Sequence, residues 1–215
     1  MKGLLLKDWY QVRTSMKAMC LTVAFVLVIW VFSTSSAYVF PVSYAAVFLG
    51  ILPINLLAYD HASGWTEYSF ALPLSKELQV AEKYLVGLLC TAVSAALNGI
   101  FCGILFWMGK PLPAMPIGLL LGAGAASILL INGIMLPLYY RFGAEKARML
   151  YMLMFAGMGA ALGGGAVMDE LQQNGTGSGP LPVPLWLAAV LLLAVLALYA
   201  VSWRVSVAWY GKYKK

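Results

Sequence analysis

Residues 59–78, YDHASGWTEYSFALPLSKEL, decide how the rest of the chain must be arranged. Five acidic, basic or histidine side chains lie within this stretch, between two long apolar segments: Asp60, His61, Glu67, Lys76 and Glu77. One charged side chain at the centre of a membrane-spanning helix costs about 2.5–3.5 kcal/mol. The stretch therefore lies in water or against a protein surface, and it separates two apolar segments from four that follow.

The composition is that of an integral membrane protein. The chain has 215 residues, of which 62% are hydrophobic and only 10% are charged. A soluble domain carries about 25% charged residues. Apolar runs of about 20 residues recur along the chain, which is the length of a transmembrane helix. No polar stretch is long enough for a separate folded domain, so residues 1–215 are predicted to form one membrane domain.

We predict an all-α membrane protein with six transmembrane helices. An N-terminal amphipathic helix over residues 1–17 precedes them, because Leu5, Trp9, Val12 and Met16 recur at helical spacing among polar and basic residues. Such a helix is typical of the membrane interface. The predicted spans are about 18–36, 39–58, 79–108, 117–139, 147–168 and 183–203, with the stretch 59–78 between spans two and three.

The charge distribution predicts the orientation. With both termini in the cytoplasm, 13 of the 14 Lys and Arg residues lie inside and only Lys110 lies outside. This asymmetry in short loops is the one expected of a multi-pass protein of the plasma membrane. The net charge of +6 therefore reflects topology, and nucleic acid is not indicated as a partner.

The third span is predicted to begin outside the hydrocarbon layer. Ser75 is a candidate N-cap and Glu77 suits the first turn of a helix that runs to about Met108. That helix exceeds the thickness of the hydrocarbon core. Its first turns, which carry Glu77, Glu82 and Lys83, are therefore expected to protrude into the cytoplasm.

The sequence carries no catalytic, cofactor or metal signature. The phosphate-binding pattern GxxxxGK[ST] does not occur, so ATP hydrolysis by that route is excluded. The one histidine, His61, lies near Ser63 in a polar loop, where a simple polar pair is favoured over a catalytic one. Cys20, Cys90 and Cys102 match no metal-binding spacing. The chain is therefore not predicted to be an enzyme.

No ionisable residue falls in the middle of a predicted span, which argues against proton coupling and favours an external energy source. Among the polar residues within spans, Asn55, Asn98 and Asn132 are candidates for a translocation path, although hydrogen bonds between helices are the favoured interpretation. Three Gly-x-x-x-Gly pairs fit either packing within the chain or dimerisation: Gly99 and Gly103, Gly118 and Gly122, and Gly159 and Gly163.

Two segments resemble a known family. The leader MKGLLLKDWYQV, two spans, and then YDHASGWTEYSFALPLSKELQVAEKYLVG are similar in order to the ABC-2 type permeases of bacterial ABC exporters. In that family the element after the second span resembles LPxS followed by a charged helix. Leu72, Pro73, Leu74 and Ser75 match it here, followed by Lys76 and Glu77.

The resemblance implies a partner and a docking segment. Such a permease pairs with a second permease, identical or different, and with separate ATPase subunits that bind ATP and Mg. The stretch between spans two and three would form a coupling helix seated on the ATPase, with Trp65, Tyr68 and Phe70 as apolar anchors and Asp60 and Glu67 at the rim. The docking residues expected from the resemblance are Asp60, His61, Ser63, Gly64, Trp65, Thr66, Glu67, Tyr68 and Phe70.

The leading hypothesis is a permease that exports a hydrophobic or amphipathic substrate, a peptide or a drug-like molecule, with energy from a partner's ATPase. Exporters of phenol-soluble modulins and antimicrobial peptides are one similar group. Two alternatives remain open: a membrane scaffold or assembly factor that recruits a soluble protein, and a lipid-modifying membrane enzyme.

Overall fold

Seven α-helices follow one another in the part of the chain that the computed structural model describes, residues 2–15, 17–32, 39–71, 75–110, 117–172 and 185–210. They are α1 (Lys2–Ser15), α2 (Lys17–Phe32), α3 (Val39–Ala62), α4 (Trp65–Ala71), α5 (Lys76–Trp107), α6 (Ile117–Gln172) and α7 (Leu185–Tyr210). Leu72, Pro73 and Leu74 of the LPxS motif lie outside the described residues, as do most of the predicted loop 169–182 and the basic tail.

Four helical segments within the described residues are long and apolar enough to cross a membrane: Ser43–Ala62, Lys76–Trp107, Ile117–Gly143 and Ala189–Tyr210. They agree with the predicted spans two, three, four and six. The predicted first span coincides with α2, which contains the shorter apolar helix Cys20–Phe32. The predicted fifth span falls in the second part of α6, where the side chains beyond residue 153 are not described. The chain is a multi-pass, all-helical membrane protein.

Helix boundaries differ from the prediction at two turns. α3 continues to Ala62 rather than ending near residue 58, so Asp60 and His61 occupy its last turn. Residues 140–146, the predicted connection between spans four and five, do not form a loop. The helix is interrupted only at Gly143, whose φ of 80° and ψ of 177° are not helical. Glycine adopts a positive φ at little cost because it has no Cβ atom. A single residue therefore interrupts the helix here, and no loop is required.

The helices pack around the first part of α6, which contacts α3, α5 and α7. The acidic and basic side chains of α1, the end of α3 and the start of α5 lie together, and we call this side of the bundle the charged end: Lys7, Asp8, Asp60, Glu82 and Lys83. At the opposite end the Lys110 ammonium donates to the carbonyl of Val31.

A chain of hydroxyl groups joins α5, α6 and α7 in the core. Pro137 has no N–H, so the carbonyl of Gly133, four residues earlier, lacks its helical donor. Ser202 Oγ donates to this carbonyl, and Tyr84 Oη lies 2.7 Å from both Ser202 Oγ and Ser206 Oγ. Each hydroxyl can donate one hydrogen bond: Ser206 to Tyr84, Tyr84 to Ser202, and Ser202 to the Gly133 carbonyl. Every hydroxyl hydrogen of this chain then has an acceptor.

One glycine allows a close contact between α5 and α7. A Cβ atom at Gly87 would lie 2.5 Å from Tyr199 Oη, which donates to the carbonyl of Tyr84 at 2.7 Å. By contrast, Cβ atoms at Gly99, Gly103, Gly118 and Gly122 would meet no described atom within 4 Å. These two Gly-x-x-x-Gly pairs therefore do not serve helix packing among the described residues. The third pair, Gly159 and Gly163, lies in the part of α6 whose side chains are not described.

Candidate functional site: the α3–α4–α5 connection at the charged end

A tight turn after α3 starts the short helix α4. Ser63 N–H donates to the Tyr59 carbonyl at 2.9 Å and Gly64 N–H to the His61 carbonyl at 3.2 Å. Gly64 has a φ of 71°, a left-handed conformation that ends helices because glycine has no Cβ to clash. Tyr68 N–H then donates to the Gly64 carbonyl at 3.1 Å, which begins α4. The turn places Trp65–Ala71 as a separate helical element next to the charged end.

The predicted N-cap of α5 is confirmed. Ser75 has an extended backbone, and its hydroxyl accepts a hydrogen bond from the N–H of Leu78 at 3.3 Å. α5 then runs to Trp107, with Met108 as its C-cap, close to the predicted bounds. The residues between α4 and this cap are the undescribed part of the LPxS motif.

Gln79 fixes the end of α4 against α5 and α7. Its amide nitrogen donates to the Ser69 carbonyl at 3.2 Å, and its amide oxygen accepts from Tyr210 Oη. Ser69 Oγ in turn donates to the carbonyl of Thr66 at 2.7 Å. Gln79, Ser69 and Tyr210 are all buried. The consecutive helices α4 and α5 and the distant helix α7 therefore meet at one amide group.

The predicted docking residues fall into three groups by exposure. His61, Ser63, Gly64, Glu67 and Tyr68 are exposed, and Tyr68 retains 58% of its surface. Trp65 and Thr66 are partly buried. Asp60 is only 5% exposed, and the side chain of Phe70 is not described.

Trp65 is held by the N-terminal helix. The Lys7 ammonium lies 4.7 Å from the centroid of the Trp65 ring, an attractive arrangement of a cation over an aromatic face. The centroid of the Tyr68 ring lies 5.5 Å from that of the Trp65 ring. Of the two described aromatic anchors, Tyr68 is therefore the one that presents its ring to the exterior.

A closed cluster of ion pairs lies beneath α4. Lys83 Nζ is 2.8 Å from both carboxylate oxygens of Asp8 and 2.8 Å from Asp60 Oδ2. These three contacts use the three N–H donors of the Lys83 ammonium. Lys7 Nζ is 2.7 Å from Asp60 Oδ1 and 3.2 Å from Asp8 Oδ1. These four side chains join α1, α3 and α5, and we call them the ion cluster.

The ion cluster corrects the expectation that Glu82 and Lys83 protrude into the cytoplasm. Glu82 is 4% exposed and Lys83 is 2% exposed. The length of α5 was estimated correctly, but α1 covers its first turns and supplies Asp8 to Lys83. Asp60, expected at the rim of a docking surface, likewise points into the protein and has its carboxylate occupied by two lysines.

Two sequence patterns carried a signal for this cluster. Leu4, Asp8 and Val12 are spaced by four, which puts Asp8 in the middle of an apolar stripe of α1. Lys83 lies between Val80 and Gly87 on the side of α5 that is buried. A charge on the apolar stripe of each helix indicates that the two charges meet.

A cavity of about 60 Å³ lies between the ion cluster and α4. Asp60, Trp65, Gln79, Glu82 and Tyr210 are among the residues that line it. Glu82 Oε1 is buried, lies 3.6 Å from Lys83 Nζ and has no hydrogen-bond partner among the described residues. The volume is sufficient for a few water molecules.

The three asparagines proposed for a translocation path lie apart from this cavity. Asn98 and Asn132 are 1% and 0% exposed, and Asn55 is partly buried. The Asn98 amide nitrogen donates to Ser94 Oγ at 3.4 Å and that of Asn132 to the Ile128 carbonyl at 3.0 Å. These bonds stay within one helix, and both Oδ1 atoms lack a partner among the described residues.

No catalytic arrangement forms around His61. Ser63 Oγ donates to the backbone carbonyl of Asp60 at 3.3 Å, and His61 is exposed. Among the residues that the structure describes, no three His, Cys, Asp or Glu side chains are grouped so as to hold a metal ion. Asp169 and Glu170 have no described side chains.

Comparison with known proteins identifies one match. The family model described as "ABC-2 family transporter protein" matches residues 3–211. It therefore covers α1 to α7, including the turn at Gly64 and the ion cluster. Among curated proteins and solved structures, nothing matches the chain.

Proposed function

The chain belongs to the ABC-2 family of transporter proteins and is a membrane permease of an ABC transporter; from this premise we propose that it exports a hydrophobic or amphipathic substrate with energy from a separate ATPase subunit. In this proposal α4 and the turn before it form the coupling element that docks on the ATPase. The observation that carries it is that one face of this element is exposed, whereas its other contacts hold it to α1, α5 and α7. We call these holding contacts the fixed base.

The exposed face has the composition of a docking surface. Tyr68 offers an exposed aromatic ring, and the neighbouring residue Glu67 offers an exposed carboxylate. His61, Ser63 and Gly64 in the preceding turn are exposed as well. Aromatic anchors within a polar rim are typical of protein interfaces. Asp60 and Trp65 then act from below, as residues that position α4 rather than as contacts to the ATPase.

The fixed base supplies the mechanical link. Gln79 joins α4 to α5 and α7, and Lys7 joins Trp65 to α1. When the ATPase subunits close on ATP, displacement of α4 would therefore move α5 and α7 with it. We propose that this motion opens a path between the helices.

The directions of the helices support six spans with both termini in the cytoplasm. Tyr140 contacts Tyr210 and Gly133 contacts Tyr199, so the first part of α6 and α7 run in the same direction. The chain between them must therefore return across the bundle. Residues 144–172 are helical and extend about 42 Å, enough to cross a hydrocarbon core of about 30 Å. The basic residues of α1 and α5 at the charged end favour a cytoplasmic location for that end.

The buried asparagines suggest where the path opens. Asn98 and Asn132 each keep an amide oxygen without a partner among the described residues, on two helices that pack together. A buried amide oxygen without a donor destabilises the closed arrangement. We propose that Asn55, Asn98 and Asn132 meet the substrate after the helices separate, and that amphipathic peptides are among the substrates.

Affinity purification of the tagged protein in mild detergent from its native host tests the partner. We expect a stoichiometric ATPase that is retained with Tyr10→Ala and lost with Tyr68→Ala. Tyr10 and Tyr68 are both 58% exposed, and only Tyr68 belongs to the docking face.

An ATPase that remains bound to the Tyr68→Ala and Glu67→Lys variants would place the docking surface elsewhere. A protein that is purified alone would instead support the scaffold or lipid-modifying alternatives. Export of a labelled amphipathic peptide from cells, with and without Tyr68→Ala, then tests the substrate class.

A further inference from the structure

An apolar groove runs along the outer side of the bundle between α6 and α7. Its volume is about 390 Å³, and Leu130, Ile134, Pro137, Leu198, Val201 and Trp209 are among the residues that line it. Leu198 and Val201 are 60% and 59% exposed, and Ile134 is 49% exposed. The groove is therefore open to whatever surrounds the membrane domain.

Close approach of the two helices forms the floor of the groove. A Cβ atom at Gly133 would lie 3.6 Å from Tyr199 Cδ2 and 3.9 Å from its Cα. Ser202 Oγ donates to the Gly133 carbonyl and holds α7 at this distance. The floor is thus fixed by the contacts of Gly133 with Tyr199 and Ser202, and the apolar side chains on either side form its walls.

A cation lies at the end of the groove that faces the charged end. The Arg141 guanidinium is 4.8 Å from the centroid of the Trp209 ring, and Trp209 itself lines the groove. Arg141 also lies 5.1 Å from the Phe142 ring and is exposed. Because the side chain is exposed, its planar guanidinium is accessible to a phosphate group, which it binds well.

The length of the groove matches one membrane leaflet. Val195 and Trp209 both line it, and they are 14 residues apart on α7, which is about 21 Å. Half of a bilayer with its headgroup regions is also about 21 Å. An occupant of that total length, with an apolar tail along the groove and an anionic head at Arg141, is an anionic phospholipid.

We propose that the groove between α6 and α7 binds one acyl chain of an anionic phospholipid from the leaflet at the charged end, with the phosphate at Arg141. Basic residues between transmembrane helices on the cytoplasmic side are known to favour anionic headgroups. The proposal depends on the membrane location and not on ATPase docking or on the substrate.

Native mass spectrometry of the detergent-purified chain tests the proposal. We titrate phosphatidylglycerol and phosphatidylcholine with identical acyl chains and count the lipids retained per protein. We expect phosphatidylglycerol to be retained about fivefold better, since one basic residue near an anionic surface contributes about that factor. Arg141→Gln should remove this preference, whereas Lys76→Gln, an exposed cation at the charged end away from the groove, should leave it unchanged.

A second pair of variants tests the groove itself. Val201→Trp fills it and should reduce retention of both lipids severalfold. Leu191→Trp, at a site that is 56% exposed on the same helix and does not line the groove, should have no effect. Circular dichroism verifies that all four variants keep their helices.

Three results would overturn the proposal. The first is equal retention of the two lipids by the unmodified protein. The second is retention that Val201→Trp leaves unchanged. The third is loss of a dimer with Val201→Trp while lipid retention persists, which would identify a second copy as the occupant.

Discussion

Lys83 and Asp8 lie 75 positions apart in the sequence, and Lys83 Nζ is 2.8 Å from both carboxylate oxygens of Asp8. Each residue has about 3% of its side chain exposed. The N-terminal helix is thus attached to the third apolar helix by a buried ion pair. Asp60 and Lys7 complete the cluster, so α1, α3 and α5 are joined by one set of charges.

Replacement of Lys83 tests the ion cluster. Lys83→Met leaves the buried carboxylates of Asp8 and Asp60 with Lys7 alone, and we expect the free energy of unfolding to fall by about 3–5 kcal/mol. Thermal unfolding in detergent measures this loss. Lys76→Met changes an exposed cation on the same helix and should have almost no effect. Equal melting temperatures for the two variants would contradict a structural role for the cluster.

Gly87 is predicted to be intolerant of any side chain. Gly87→Ala places a methyl group 2.5 Å from Tyr199 Oη, and Tyr199 can move only by giving up its hydrogen bond to the Tyr84 carbonyl. Overpacking of this kind costs about 1–3 kcal/mol. Gly99→Ala on the same helix meets no described atom and should not lower the melting temperature of the monomer. A dimer that dissociates with Gly99→Ala would assign the Gly-x-x-x-Gly pair to the second copy.

The contribution of the bond from Ser202 to Gly133 is predicted to depend on Pro137. Ser202→Ala leaves the Gly133 carbonyl without a donor, which costs about 1–3 kcal/mol. Pro137→Ala restores the N–H that α6 lacks and should make Ser202→Ala less harmful. A double-mutant cycle on melting temperature measures this dependence. Strict additivity of the two substitutions would show that the serine and the proline act independently.

Gln79 is predicted to transmit force without binding the ATPase. Gln79→Leu removes both the donor to the Ser69 carbonyl and the acceptor for Tyr210 Oη, so α4 loses its link to α5 and α7. We expect normal co-purification of the ATPase but export reduced at least about tenfold, equivalent to about 1.4 kcal/mol in the coupled step. Tyr59→Phe, an exposed tyrosine near the same turn, serves as control. Loss of the ATPase with Gln79→Leu would instead place Gln79 in support of the docking surface.

Much of the architecture follows from the local pattern of the sequence. Long apolar runs predict spanning helices because backbone N–H and C=O groups without hydrogen bonds are very unfavourable in lipid. A helix forms all of these bonds within one segment. Ser75 predicts the start of α5 because a hydroxyl at that position satisfies a free N–H of the first turn. The exposed Tyr68 and Glu67 lie in the polar stretch 59–78 between two apolar runs, where the sequence predicted a surface segment.

The charges of the site could not be assigned in this way. Glu82, Lys83 and Asp60 follow the pattern of solvent-exposed helix ends, and burial of a charge is unfavourable unless a partner is present. The partners, Asp8 and Lys7, are on another helix more than fifty positions away. The prediction that Glu82 and Lys83 protrude was therefore wrong for a definite reason, which is the packing of α1 against α5.

Hydrophobicity and helix caps depend on residues that are neighbours in the chain, so the sequence alone determined the membrane class, four of the spans and the start of α5. Which side of each helix is buried depends on contacts between distant segments. Tertiary packing alone decided that Lys83 meets Asp8, that Gln79 joins α4 to α7, and that a groove ending at Arg141 opens between α6 and α7.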